Sequence, residues 1–331
     1  METIIAQRLK DLRLGEPQSH RNVTIIPVMG PESGPDYLTL KEAMDTGSLV
    51  VVEVSEGGAV PELKVVNKGV KPVLLLDGEE LSGAKQNRVL NTTILIRINS
   101  ETIIPVSCTE HGRWSYRTAA FEDSGIMMSS HLRRVKNESV ARSLKERQHF
   151  RSDQHAVWDG IEEQAKRAGV RSSTGAMKDI HESRTEDLDS FLAHFALVEG
   201  QQGLIVLVNG QVAGMDLVSM PKAYGVLHTK LLKSYVMDAL LHPTSNGNGA
   251  KAAPETARAF LGEICLTREE RFVSVGCGWD YRYESPGIVG SALVHEKAVI
   301  HLAFFRTVGS ASKTGPMATA SHRRQYRTIR Q

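Results

Sequence analysis

The chain has 331 residues, of which 41% are hydrophobic and 24% charged, a globular composition that excludes a disordered polyelectrolyte. No apolar run reaches the roughly 18 residues needed to cross a bilayer, so no membrane partner is expected. The three cysteines, Cys108, Cys265 and Cys277, are far apart and outside CxxC spacing, which argues against a disulfide framework or a structural zinc site and for a reducing cytoplasm.

Charge is unevenly placed. From Arg306 to Gln331 there are six cations (Arg306, Lys313, Arg323, Arg324, Arg327, Arg330) and no acid, so the rest of the chain carries −4 against a formal +2 for the whole. The sequence pI of 8.4 therefore describes mainly a tail, weak grounds for a nucleic-acid-binding fold.

In chain order, Met1–Gly15 alternates charge with apolar residues and lacks the continuous apolar segment of a secretory signal. The first half then reads as strands: Val23–Val28, Leu49–Val54, Leu63–Asn67, Pro72–Leu76, Val89–Ile98 and Thr102–Ser107, with a short helix over Leu40–Thr46 stopped by Gly47. The middle is helical. Asp153 caps a helix that carries Val157, Trp158, Ile161 and Ala165 on one face and ends at Gly169; Thr185 precedes Leu188, Phe191, Leu192 and Phe195 at the same kind of spacing. Gly203–Val208 and Gln211–Val218 flank Asn209-Gly210, a strong hairpin signal. A helix over Val226–Leu241, a solvated loop over Thr244–Pro254, and strands near Phe272–Gly276, Gly287–Val294 and Ala298–Phe304 complete the pattern. Strands, then helices, then strands predict an α+β fold: a mixed, mainly antiparallel sheet with helices over one face. Residues 1–305 form one expected domain, and 306–331 a basic tail expected to be disordered.

Three polar clusters interrupt this pattern. Residues 77–88, DGEELSGAKQNR, lie between two apolar strands. Adjacent Glu79 and Glu80 could hold a divalent cation or divide acid and base roles, with Gln86, Asn87 and Arg88 as donors; the plain alternative is a solvated connection. Residues 108–114, CTEHGRW, bring together a thiol, a base candidate in Glu110, His111, a phosphate clamp in Arg113 and a stacking ring in Trp114. For Cys108 an inert buried thiol is the commoner case than a nucleophile. Residues 276–282, GCGWDYR, place Asp280 and Arg282 on one face of a strand, as ligand contacts or as an internal salt bridge.

Weaker signals surround these. His131–Arg151 holds Arg133, Arg134, Lys136, Arg142, Lys145, Arg147 and Arg151 against Glu138 and Glu146, a solvated basic helix or a rim for an anionic substrate. His228, His242, His295 and His301 lack metal-like spacing. There is no Walker A loop, GxSxG elbow or HExxH.

On LDGEELSGAKQNRVLN (76–91), PVSCTEHGRW (105–114), VLVNGQVAGMD (206–216) and GCGWDYR (276–282), the chain resembles the ARG-and-rhodanese-phosphatase-superfamily-associated proteins, a domain of unknown function, over roughly Leu14–Phe305. The resemblance implies work on ADP-ribose, NAD-derived nucleotides or RNA ends, by association only. His111 departs from the pattern, which favours Gln, so a hydrogen-bonding role open to both side chains fits better than catalysis. The expectation that follows is an enzyme, a candidate hydrolase, for a phosphate-containing nucleotide or ADP-ribose-like small molecule. In it Glu110 is the base, Glu79 or Glu80 holds a cation or protonates the leaving group, and Arg88 and Arg113 bind phosphate. The competing expectations are a non-catalytic module for the same ligand class and a scaffold whose polar stretches are internal ion pairs.

Overall fold

A computed structural model describes residues 1–55, 61–147, 149–242 and 253–307. The loop expected over Thr244–Pro254 falls almost wholly outside these residues, as does the tail from Val308 onward.

The hairpin at Asn209-Gly210 forms: both residues have positive φ, 54° and 76°, the pair of angles a type I′ turn requires. It joins Gln201–Val208 to Gln211–Val218 at the centre of a sheet that has nine strands among the described residues. Across this sheet run Arg13–Leu14, Val23–Met29, Gln201–Val208, Gln211–Val218, Ala298–Arg306, Ile288–His295, Trp279–Glu284 and Arg268–Val273, with Gln18–His20 beside Val23–Met29. Every pairing in it is antiparallel.

Its strands are apolar on both faces because both are covered. Leu204 and Val206 turn toward a core that includes Val157, Ile180, Phe191 and Leu231 from the middle helices. Their neighbours Ile205 and Leu207 turn the opposite way, to Ile5 and Leu9 of Thr3–Lys10 and to Ala257 and Phe260 of Ala253–Ile264. The fold is α+β and mainly antiparallel as expected, with its helices divided between two faces rather than gathered on one.

A smaller β unit packs beside it. Leu38–Thr39, Val73–Leu75 and Ile94–Ile96 make one sheet; Phe121–Met127, Glu79–Gly83, Arg88–Leu90, Ser100–Cys108, Glu62–Asn67 and Leu49–Glu53 make another. Leu63, Val65, Leu81, Leu90 and Ile104 lie in the core between them. The two β units touch at GCG. A Cβ on Gly276 would lie 2.3 Å from the Leu95 carbonyl oxygen, one on Gly278 (φ +89°) would lie 2.1 Å from that of Val294, and the Cys277 N–H donates to Leu95 O at 2.8 Å. Only glycine fits so close an approach.

Three expectations change. The run read as one strand over Val89–Ile98 breaks into Arg88–Leu90 and Ile94–Ile96, because Asn91, Thr92 and Thr93 bond outward to Phe150, Asp280 and His301. Residues 77–88 are not a solvated connection; they contain the buried strand Glu79–Gly83. The basic segment forms a helix over Ser130–Lys145, but Arg133 and Lys136 on it are fully buried. Their packing face, shared with Asn137, Val140 and Leu144, has helical spacing with cations in apolar positions.

Candidate functional site

Strand pairing separates the residues of the first cluster. Leu81 stands opposite Arg88 and Glu80 opposite Val89, so the Glu80 and Arg88 side chains leave opposite faces of one hairpin. Glu79 and Glu80 diverge for the same reason and do not form a cation cup. Glu79 accepts from the Leu76 N–H at 2.8 Å and from Lys230 Nζ at 2.7 Å. Lys230 also donates to Asp123 at 2.7 Å; although burial opposes its charge, the two carboxylates hold it protonated. Glu80 accepts from the Thr109 hydroxyl at 2.6 Å, with Ser124 also near its carboxyl, and no hydrogen bond within reach satisfies its Oε2. Burial pushes its carboxyl up to about 7, against the Thr109 bond.

The second cluster folds as a brace around residues 83–87. Arg113 donates through Nε to Glu110 Oε2 at 2.9 Å, through Nη1 to Ala84 O and Ser115 O, and through Nη2 to Gly83 O and Asn87 Oδ1. These use the donors of the guanidinium, so Arg113 has none left for a phosphate, and its clamp role is withdrawn. Glu110 also accepts from the Asn87 N–H at 3.3 Å. Burial would raise the Glu110 carboxyl, but the bonds from Arg113 bring it below the usual range. It is a paired anion rather than a base poised near neutrality. Among the described residues, Asn87 bonds Gly83, Thr109, Glu110 and Arg113. His111 is exposed, its backbone N–H donating to Thr174 O at 3.0 Å and its ring edge-on to Trp158 at 4.5 Å.

In the third cluster, Arg282 Nε donates to Asp280 Oδ1 at 2.6 Å, and Thr92 joins both residues at 2.8 and 2.6 Å. Both are buried. Of the two readings offered by the sequence, the internal salt bridge is the one formed, and neither residue contacts the first two clusters through a hydrogen bond.

Sequence reasoning missed the largest polar assembly. Arg133 grips Asp216 bidentately at 2.9 and 2.6 Å, and the Tyr235 hydroxyl donates to the same carboxylate at 2.8 Å. His301 lies within 3.2 Å of Asp216 through Nε2 and within 2.9 Å of Thr93 through Nδ1; with Nε2 protonated it donates to the acid and accepts from the hydroxyl. Lys136 bonds Asp77 and Leu90 O. Burial would raise Asp216, but Arg133 and His301 hold it at about 2; burial brings Lys136 down to about 8 despite Asp77. A carboxylate inside the apolar run Gly214–Val218 was the available signal, because a buried charge needs a partner.

Other buried guanidinia also leave one nitrogen without a hydrogen bond, Arg133 Nε and Arg282 Nη1 among them, but Arg88 leaves two. It is fully buried, yet only Nη1 is used, to Gln86 Oε1 and Cys108 Sγ, both at 2.9 Å; Nε and Nη2 have no hydrogen-bond partner. Cys108 is buried, and burial raises its thiol above the ordinary value more than Arg88 lowers it. Trp114, 49% exposed, covers the group: its ring lies 5.7 Å from Arg88 Cζ and 5.4 Å from Lys85 Nζ. Both carboxylate oxygens of Glu53 are likewise buried without a partner, and Glu53 acts electrostatically on Cys108.

Among the described residues, no three His, Cys, Asp or Glu side chains gather as metal ligands, and no helix is long and apolar enough to cross a membrane. The family model of the ARG and Rhodanese-Phosphatase-superfamily-associated Protein domain matches residues 11–305, and the chain belongs to that family. No curated protein and no solved structure matches it.

Proposed function

We propose that the protein is a binding module for a phosphate-containing, nucleotide- or ADP-ribose-like ligand, with Arg88 as the anion receptor, Gln86 beside it and Trp114 as its cover. The observation that carries this reading is the buried Arg88 guanidinium with two unspent N–H donors. A buried cation without an ion pair is costly, and a phosphate oxygen supplies both the charge and the acceptors that Nε and Nη2 lack. Each such charge-assisted bond contributes about 1.5–3 kcal/mol. The unpaired thiols support a reducing cytoplasm as its setting.

The reading makes an unusual demand. Arg88→Met removes an unpaired buried charge, so the variant melts no lower than the wild type while losing most affinity for ADP-ribose in calorimetric titration. Trp114→Ala, at an exposed position, serves as the second variant and weakens the same binding. A 5′-phosphorylated oligoribonucleotide run in parallel distinguishes an RNA end from a free nucleotide. Loss of stability in Arg88→Met with unchanged ADP-ribose affinity would make Arg88 a structural residue and refute the proposal.

A catalytic reading rests on Glu80, whose carboxyl at about 7 and free Oε2 suit an acid–base group. Chromatography of ADP-ribose incubated with wild type and Glu80→Gln tests it; product formed equally by both removes Glu80 from the chemistry.

A further inference from the structure

A second feature lies on the other side of the 108–114 loop. Helix Gln154–Ala168 and residues 170–176 border an open hollow of about 580 Å³, within the range of small-molecule sites. Ile161, Ala165 and Val170 line its apolar part, His111, His155 and Trp158 its aromatic part, and Asp159, Glu162, Lys166 and Arg171 bring both charges to it. The two imidazoles stand edge-on to the indole, with centroids 4.5 and 5.8 Å away. The Trp158 Nε1 is buried and has no acceptor. An unmet buried N–H is costly, and an acceptor atom of a bound ring would satisfy it.

The hollow is tied to the anion receptor by direct contacts. Arg88 bonds Cys108 Sγ; the Cys108 N–H and carbonyl both bond the Gln154 side chain, at 2.8 and 2.9 Å. Trp158 follows Gln154 by one turn of the same helix, a rise of about 6 Å.

We propose that this hollow is the ring subsite of the same ligand, taking a planar nitrogen heterocycle of the purine class that accepts from Trp158 Nε1–H against the His111 and His155 edges. The proposal rests on the Arg88 reading for the phosphate end alone. Three probes separate the ends in titrations of the full chain: adenosine, ribose 5-phosphate and ADP-ribose. Trp158→Phe keeps an aromatic ring and removes the donor. It weakens adenosine and ADP-ribose about 10-fold, the cost of one hydrogen bond, and leaves ribose 5-phosphate unchanged. His111→Ala, at an exposed position, weakens adenosine in the same direction and guards against a folding defect at Trp158. Arg88→Met does the converse, weakening ribose 5-phosphate and sparing adenosine. Adenosine that fails to bind, or ADP-ribose affinity indifferent to both Trp158→Phe and His111→Ala, overturns the ring subsite. Ribose 5-phosphate indifferent to Arg88→Met, with adenosine still dependent on Trp158, overturns the phosphate reading and leaves this one standing.

Discussion

Replacing Glu80 by Gln tests the physical state of the buried carboxyl independently of any ligand. The amide keeps the acceptor for the Thr109 hydroxyl and removes only the ability to ionise. In the wild type the carboxyl lies at about 7 against an ordinary 4.5. At about 1.36 kcal/mol per pKa unit, that difference amounts to about 3 kcal/mol. The sign follows from which state ionises first. Below the ordinary value both states are protonated and nothing is lost. Between there and neutrality the unfolded chain ionises while the folded one stays neutral, so stability falls as pH rises. Above the raised value the full loss is present. Urea unfolding of wild type and Glu80→Gln between pH 4.5 and 8 should show the variant gaining on the wild type by about 3 kcal/mol across that window. A constant offset between the proteins reports the amide alone. If the difference stays flat within about 0.5 kcal/mol, less than a fifth of the shift expected from the linkage, Glu80 is not desolvated and its place in any acid–base reading goes with it.

Other substitutions probe the pairing on which the fold depends. Arg133→Met leaves Asp216 buried against His301 and Tyr235 alone, and should cost about 3–5 kcal/mol in urea unfolding; adding Asp216→Asn should recover part of it. Glu110→Gln should lower the melting temperature, since it removes the anion facing Arg113, while ADP-ribose affinity stays within a few-fold in titration. Gly276→Ala places a methyl group 2.3 Å from Leu95 O and should cost at least about 1–3 kcal/mol, whereas Gly262→Ala, on a helix with nothing near its Cβ, should add about 1 kcal/mol in the same assay.

Most of the sheet was legible in the sequence because period and turn chemistry are local. Asn209-Gly210 announced its hairpin, and Val23–Val28 and Ala298–Phe304 were apolar enough to be strands in any context. What was not legible depended on contacts between residues far apart in the chain. Thr92 and Thr93 break a strand in order to reach Asp280 and His301, some 190 and 210 positions later. Arg133 and Lys136 looked like surface cations because their counter-ions, Asp216 and Asp77, lie on other elements. The division of helices between two faces was hidden for the same reason: a continuous apolar strand does not say which element covers each side.

Candidate site residues posed a subtler difficulty. An acid beside an arginine has the same composition whether the two bind a ligand or each other, and the clusters at 77–88, 108–114 and 276–282 each contained both. Donor capacity distinguishes them. Arg113 spends its guanidinium on five acceptors, Glu110 among them, and Arg282 engages Asp280 and Thr92 and leaves Nη1 alone without a partner. These residues hold the protein together, and a ligand would have to displace bonds already made. Arg88, equally buried, offers Nε and Nη2 to nothing, and Trp158 offers Nε1 to nothing. The two surpluses flank the one loop that the sequence marked as unusual, joined through Cys108 and Gln154. Each unmet donor costs the fold stability, so these two are the physical reason to look for an acceptor outside the chain.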